Sequence, residues 1–464
     1  MKKLFPPLSL ILLPVVFAGG VSSSSQRQTP DTGAEQAFLK LIQEEGVQKA
    51  RQVFAEARRR DSRAVLFSEA ALNALGYKFL YERKQLEDAV AVFQLNVEAY
   101  PASANVYDSL AEAYLALGRK DLAERNYRKS LELNPRNGNA IQMLARIWVT
   151  PPKDGWVDRS SHRSDFVTVN GVRLHYLDWG GRGETLLLLT GMGNSAHIYD
   201  DLAPQFTARF RVMALTRRGH GQSDKPRTGY DTETLVEDIA QFLDALKIER
   251  AHLAGHSLAG DELTRFAGRY PERVGKLVYL DAANDHSTLT DQDIFNRIPE
   301  VFALLTPSLA DAASYQTYRD WVRKKQYGFW SAAQEADFRE TRFGANGELK
   351  PALPNYVVNA LNQSTRLAHP DYRKLRAPAL SFHALYSMAT AFPWLAPDAD
   401  RETLRKAREF LRLTLLPHQR KQAERFSREV MGGRVIVWPA THHYLFITRR
   451  AEVTRAMWDF LRRK

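Results

Sequence analysis

Residues 252–270 read His252-Leu253-Ala254-Gly255-His256-Ser257-Leu258-Ala259-Gly260-Asp261-Glu262-Leu263-Thr264-Arg265-Phe266-Ala267-Gly268-Arg269-Tyr270, and this stretch decides the fold. His252-Leu253-Ala254 reads as a strand, Gly255 to Gly260 as a tight turn of small residues, and Asp261 to Tyr270 as a helix. A serine on such a strand-to-helix turn is held in a strained backbone at the helix N-terminus, where its hydroxyl is exposed above a sheet. Ser257 is therefore the first candidate for chemistry.

Working outward, Phe166 to Val169, Asn170-Gly171 and Val172 to Trp179 read as a hairpin whose Asn-Gly turn supplies the positive φ that a two-residue connection needs. Short apolar runs separated by helical stretches follow at Leu186 to Leu189, Val212 to Leu215, His252 to Ala254, Leu277 to Leu280, Ala379 to Phe382 and Val435 to Trp438. Continuous apolar runs mark strands buried on both faces, so the class is α/β with a mostly parallel sheet.

On this sheet pattern, the Gly255-x-Ser257-x-Ala259 elbow resembles that of the α/β-hydrolase family over residues 166–464. The family's last glycine is Ala259 here, with Gly260 directly after it. The resemblance implies an α/β-hydrolase mostly parallel sheet with a helical cap, and Ser257 as nucleophile. It places the catalytic histidine on the loop after the last strand, where Thr441-His442-His443-Tyr444-Leu445-Phe446 stands, and the frame His-aromatic-x-Phe favours His443 over His442. The acid most often ends the strand before the last, but residues 378–386 hold no Asp or Glu. Some family members carry it one strand earlier, which points to Asp281, with Asp285, Asp398 and Asp400 as alternatives and a structural role for Asp281 also open. The oxyanion hole implied by the family takes the backbone N–H of Leu258 and of Met192, in a turn where Thr190 replaces the usual histidine and Gly191 remains. The segment Arg217-Arg218-Gly219-His220-Gly221-Gln222-Ser223 resembles the family's Arg-Gly-x-Gly-x-Ser turn and reads as a structural loop. The expected reaction is cleavage of an ester or related acyl bond through an acyl-enzyme, with no metal and no organic cofactor required. A serine in place of a nucleophilic aspartate argues against epoxide hydrolysis and dehalogenation. Residues 285–376 read as a helical cap insertion rich in aromatics (Phe302, Tyr315, Tyr318, Trp321, Tyr327, Phe329 and Trp330), expected chiefly to form the cap's own core.

Ahead of this domain a period of 34 pairs Ala89 with Ala123, Phe93 with Tyr127, Glu98 with Glu132 and Pro101 with Pro135. Small residues at helix crossings, an aromatic one turn later and a closing proline resemble tetratricopeptide repeats, followed by a capping helix in which Asn139 and Leu144 match Asn105 and Leu110. Leu75-Gly76 sit one position off the pattern, and a third repeat upstream rests on Ala55 alone, since Arg59 stands where an aromatic belongs. The expected organisation is a signal peptide over residues 1–20, an all-α tetratricopeptide-like helical repeat domain over 34–150, a linker over 151–165 and the α/β-hydrolase domain over 166–464. Lys2-Lys3, an apolar run to Ala18 and then small residues carry the signal reading, and with it export to a bacterial periplasm or beyond.

The 464 residues carry 65 Lys+Arg against 53 Asp+Glu, a net +12, with 44% hydrophobic residues and no cysteine. That composition excludes a disordered chain, a disulfide scaffold and a thiol nucleophile. The basic residues are scattered and no nucleic-acid motif accompanies them, so the excess reads as solubility. The expected partners are a small-molecule acyl substrate and a protein or peptide at the helical repeats, with no nucleic acid and no stable membrane span. The alternative is an inactive hydrolase-fold scaffold whose repeats bind a protein partner.

Overall fold

The computed structural model describes residues 32–61, 64–151, 156–289, 291–344, 346–396 and 399–463. The expected signal peptide lies outside the described residues. The described chain divides into two compact units, residues 32–149 with Pro307–Ser314, and residues 150–306 with 315–463. No helix among the described residues is long and apolar enough to cross a membrane.

The first unit is all helical: α1 (Thr32–Glu45), α2 (Val47–Arg60), α3 (Glu69–Tyr77), α4 (Leu86–Ala99), α5 (Ala104–Ala116), α6 (Lys120–Leu133) and α7 (Gly138–Trp148). Ala89 and Ala123 are fully buried, each one turn before a buried ring, Phe93 and Tyr127. The off-register Gly76 has its own reason, because a Cβ there would stand 2.5 Å from the Phe93 ring. The helix then continues beyond α3 as a π-helix, Lys78–Arg83, whose wider turn departs from the regular repeat just where the sequence does. Upstream the expectation needs correcting. Ala55 is exposed, and the crossing is made by Ala50 and Phe54, both buried and with the same spacing of four as Ala89 and Phe93. This third helix pair escaped the period because Ala50 precedes Ala89 by 39 residues, not 34. Asn139 donates to Asp108 at 2.7 Å and Asn105 to Glu69 at 3.0 Å, so these side chains tie neighbouring helices together.

The second unit is built on eight strands: β1 (Arg163–Val169), β2 (Val172–Gly180), β3 (Thr185–Leu189), β4 (Arg211–Leu215), β5 (Ala251–His256), β6 (Val274–Leu280), β7 (Ala379–Leu385) and β8 (Arg434–Pro439). Their order is β1-β2-β4-β3-β5-β6-β7-β8. The β1/β2 and β2/β4 pairs are antiparallel, and the rest are parallel. Asn170 (φ 49°) and Gly171 (φ 73°) form the hairpin turn, and β1 begins at Arg163, inside the segment expected as linker. Successive side chains alternate faces. Leu187 and Leu189 join Phe242, Phe266 and Phe426 on one side of the sheet, while Leu186 and Leu188 join Tyr199, Phe206 and Met457 on the other. These two layers explain why β3 and β5 are apolar without alternation. β8 is half exposed instead, because it is the sheet's edge.

Helices α8 (Thr232–Ala245) and α9 (Ala259–Arg269) cover the first layer. α10 (Asp291–Arg297), α11 (Pro299–Ala303), α12 (Tyr315–Trp321), α13 (Ala332–Arg342) and α14 (Asn355–Leu367) lie between β6 and β7. A second helical excursion, α15 (Met388–Ala391), α16 (Arg401–Phe410) and α17 (Leu416–Glu429), separates β7 from β8, and the chain ends with α18 (Leu445–Thr448) and α19 (Arg450–Leu461). The join of β5 to α9 depends on Gly260, where a Cβ would lie 1.7 Å from the Ala282 carbonyl oxygen. That neighbour is backbone and has no rotamer to yield. Gly260→Ala is expected to cost about 3 kcal/mol or more, read as a lowered urea midpoint. An unchanged midpoint would contradict this packing.

Candidate active site

The parallel strands deliver their C-terminal ends to one edge, and sharp turns there carry the three candidate side chains. Ser257 follows β5 at φ 55° and Asp281 follows β6 at φ 50°. Ala440, at φ 48°, turns the chain after β8 toward His443. A non-glycine residue held in the left-handed region costs on the order of 1–2 kcal/mol, so the elbow is a strained arrangement that packing must hold. Gly255 supplies room, since a Cβ there would stand 2.8 Å from the Ala259 Cβ. With Ala259 fully buried, the family's missing glycine is accommodated.

His443 Nδ1 lies 2.6 Å from Asp281 Oδ2. The other carboxylate oxygen accepts the Ala384 N–H at 2.9 Å, and the Tyr386 hydroxyl donates to Oδ2 at 3.3 Å. Asp281 is buried, while His443 stays partly open. The structure therefore brings Asp281 and His443 together and engages the alternatives with other partners, although Asp285 lines the same cavity. Asp285 pairs with Arg425 at 2.7 Å. Asp400 is exposed and caps α16 through the Thr403 N–H, and Asp398 lies outside the described residues. His442 is buried, accepts the Tyr444 N–H at 3.1 Å and is pushed down to about 3 by that burial. A ring so disfavoured for protonation makes a poor base. His256, beside the nucleophile, is likewise held well below its ordinary range by burial, and its ring packs 4.4 Å from that of His443.

The backbone N–H of Leu258 stands at the start of α9, where helix amides have no intrahelical acceptor. Gly191 brings the second turn close, because a Cβ there would lie 3.3 Å from the Ser257 Cβ. Met192 and Leu258 both line the cavity that Ser257 faces. What holds this turn was not legible in the sequence. Arg217 Nη2 donates to the Thr190 carbonyl at 2.8 Å while Nε pairs with Glu262 at 2.6 Å. On the other side Asp337 of α13 accepts the Ser195 N–H at 2.6 Å and Asn194 Nδ2 at 2.9 Å. Burial raises Asp337 to about 6 and also raises Glu262, against the lowering effect of these donors. The Tyr444 hydroxyl donates to Asn194 Oδ1 at 3.0 Å, so the turn is tied to the histidine loop as well. Arg217, at the head of the Arg217–Ser223 segment, is thus a brace for the oxyanion turn.

Ser257, His443, Asp281, Met192 and Leu258 line one cavity of about 180 Å³. Leu289, Ile294 and Phe302 enter it from the insertion after β6, and Ala391, Phe392 and Leu415 from the excursion after β7. The roof expected from residues 285–376 alone is thus shared with the second excursion. Of the seven aromatics named there, Phe302 alone lines the cavity. Tyr315 and Tyr318 pack on Phe338, Tyr327 on Tyr444 and Phe329 on His442. They form the insertion's own core and its seat on the histidine loop.

The alpha/beta hydrolase fold family model matches residues 184–375, and the tetratricopeptide repeat model matches residues 104–147. A non-heme chloroperoxidase of Streptomyces lividans is 36% identical over 236 residues, which cover 50% of this chain and 85% of that relative. A 2-hydroxy-6-oxononadienedioate/2-hydroxy-6-oxononatrienedioate hydrolase of Paraburkholderia phymatum is 40% identical over 114 residues, 24% of this chain and 40% of its own. Other curated relatives are matched over 31–37% of their length. Among solved structures, the enol-lactonase of Burkholderia xenovorans superposes with a TM-score of 0.44 at 20% identity, covering 64% of this chain and 100% of that one.

Proposed function

From the premise that the chain belongs to the α/β-hydrolase fold family, we propose that it is a serine hydrolase cleaving an ester or related acyl bond of a small, largely apolar acyl donor. The observation that carries this reading is the 2.6 Å pair of His443 with Asp281 on the cavity that Ser257 faces. His443 takes the Ser257 proton through Nε2, and the alkoxide oxygen bonds to the carbonyl carbon. The negative charge moves to the carbonyl oxygen, where the N–H groups of Met192 and Leu258 hold it. Collapse breaks the bond to the leaving group, which receives the proton from His443. Water then repeats the sequence on the acyl-enzyme and restores Ser257. Asp281 fixes the tautomer with Nδ1 protonated and steadies the imidazolium.

A cavity of about 180 Å³ walled by Leu289, Phe302 and Phe392 suits a short acyl group. Turnover of a panel of esters is expected to be highest with two to four acyl carbons and to fall about tenfold or more for long or charged acyl chains, a loss that cramped or polar-unpaired fits produce. Equal rates across the panel would remove the size argument. No turnover of any ester by folded protein would favour the inactive scaffold.

The likeness to a chloroperoxidase supports a second acyl acceptor. In that reading hydrogen peroxide takes the place of water, its proton passes to His443, its oxygen bonds to the acyl carbon, and the bond to Ser257 breaks as His443 returns that proton to the serine oxygen, releasing a peracid. Peracid formed from a carboxylic acid and hydrogen peroxide is the readout, and its absence leaves plain hydrolysis. The repeats are proposed to dock a protein or peptide partner, and residues 1–20 to direct export. An intact N-terminus on the protein recovered from the native host would refute the latter.

A further inference from the structure

Four side chains outside the active site converge without a role in the reaction. Asp158 and His162 precede β1, while His197 and Asp200 lie on the 3-10 turn Ala196–Tyr199 and just after it, five residues and more beyond Met192. One ligand atom from each lies within 4.8 Å of the others. We propose that Asp158, His162, His197 and Asp200 form a structural site for one divalent cation of the Zn²⁺ class, which staples the approach to β1 onto the turn following the oxyanion loop.

Three ligating atoms in the cluster, Asp158 Oδ2, His162 Nδ1 and Asp200 Oδ1, are buried and make no well-aligned hydrogen bond, each facing only another member of the cluster. Buried polar atoms left unpaired are costly and rare, and three in one cluster point to a missing common partner. The side chains of His162 and Asp200 are 8% and 3% exposed, too enclosed for bulk water to serve. His162 Nδ1 lies 3.3 Å from Asp200 Oδ1, and His197 Nδ1 lies 3.2 Å from Asp158 Oδ2. A tetrahedral site with bonds of about 2.0–2.2 Å has edges of about 3.3–3.6 Å, so these pairs already stand near ligating separation. His197 Nδ1 also lies 2.8 Å from Asp200 Oδ2, a hydrogen bond that a cation would replace, and the other contacts orient the donors. The Ser160 N–H holds Asp158 Oδ1 at 2.8 Å, leaving Oδ2 turned inward. Glu340 Oε2 lies 3.2 Å from His197 Nε2, the carboxylate partner that a ligating imidazole ordinarily has on its far nitrogen. Two imidazoles and two carboxylates select Zn²⁺ over Ca²⁺ or Mg²⁺, which prefer all-oxygen sites, and four protein ligands leave no open position for catalysis.

The test uses the full-length protein, stripped with chelator and dialysed against Zn²⁺ with Ca²⁺ in excess. The expected result is one Zn²⁺ per chain, a thermal midpoint raised by several degrees, and unchanged content in Ser257→Ala. Asp200→Asn and His162→Gln should each bind Zn²⁺ at least about 100-fold more weakly, and Glu340→Gln about 10- to 100-fold more weakly. If those variants do not fold, Co²⁺ added to stripped wild type is expected to give the intense visible bands of a four-coordinate site. Wild type that binds no Zn²⁺ after stripping, or only the weak bands of octahedral Co²⁺, would overturn the proposal and leave a metal-free histidine–carboxylate network.

Discussion

Ser257→Ala is expected to lower kcat on the best short-chain ester by about 10⁵- to 10⁶-fold, with KM within a few-fold of wild type. The hydroxyl is the only atom removed. Alanine keeps the Cβ, and with it the packing that holds the elbow at φ 55°. Binding in the cavity and the N–H groups of Met192 and Leu258 survive the change, so the residual rate reports what they achieve without a nucleophile. Because the side chain is small and sits at a cavity wall, the unfolding midpoint should move little. A variant that retained a hundredth of the wild-type rate would mean that another group attacks the substrate, and the reading of this elbow would fail.

Asp281→Asn is expected to cost about 10⁴-fold in kcat, and the reason is the tautomer of His443. Asparagine preserves the shape, and its oxygen still accepts the Ala384 N–H that now lies 2.9 Å from Asp281 Oδ1. Its amide nitrogen then faces His443 Nδ1, where the carboxylate oxygen stands at 2.6 Å. Donor against donor is unfavourable, so the ring turns over to the tautomer protonated at Nε2. That nitrogen is the one that must accept the serine proton. Asp285→Asn provides the contrast, since its carboxylate is engaged by Arg425 at 2.7 Å, and its effect on kcat should stay within about tenfold. Equal losses in the two variants would contradict the assignment of roles.

Much of this site was legible because it depends on short-range pattern. The Gly255–Gly260 turn, the loop with His443 and the strand that ends at Asp281 are each contiguous, and each carries its own signature of small residues, aromatics or β-branched runs. The repeat period likewise exposed Ala89, Phe93, Ala123 and Tyr127. What stayed hidden joins distant segments. Arg217 reaching Thr190, and Asp337 reaching Asn194 and Ser195, are contacts across 27 and more than 140 residues, and no local spacing announces them. The register of the helical pair α1 and α2, expected as helical, was misplaced for a different reason. Its Ala50 and Phe54 follow the rule, but eight residues separate α2 from α3 where four separate α4 from α5, and a fixed period cannot absorb that. The cavity roof fell between these cases. Aromatic content pointed at residues 285–376, yet most of those rings pack on one another, and Ala391, Phe392 and Leu415 arrive from a segment whose composition is unremarked.

The central claim is that Ser257 is an activated nucleophile, and covalent trapping tests it most directly. Purified full-length protein is treated with a fluorophosphonate and the modified peptide is mapped by mass spectrometry. The account predicts one adduct per chain, located on Ser257, absent from Ser257→Ala and slowed by orders of magnitude in His443→Ala. A folded wild-type protein that takes up no label, or carries it on a different residue, would contradict it.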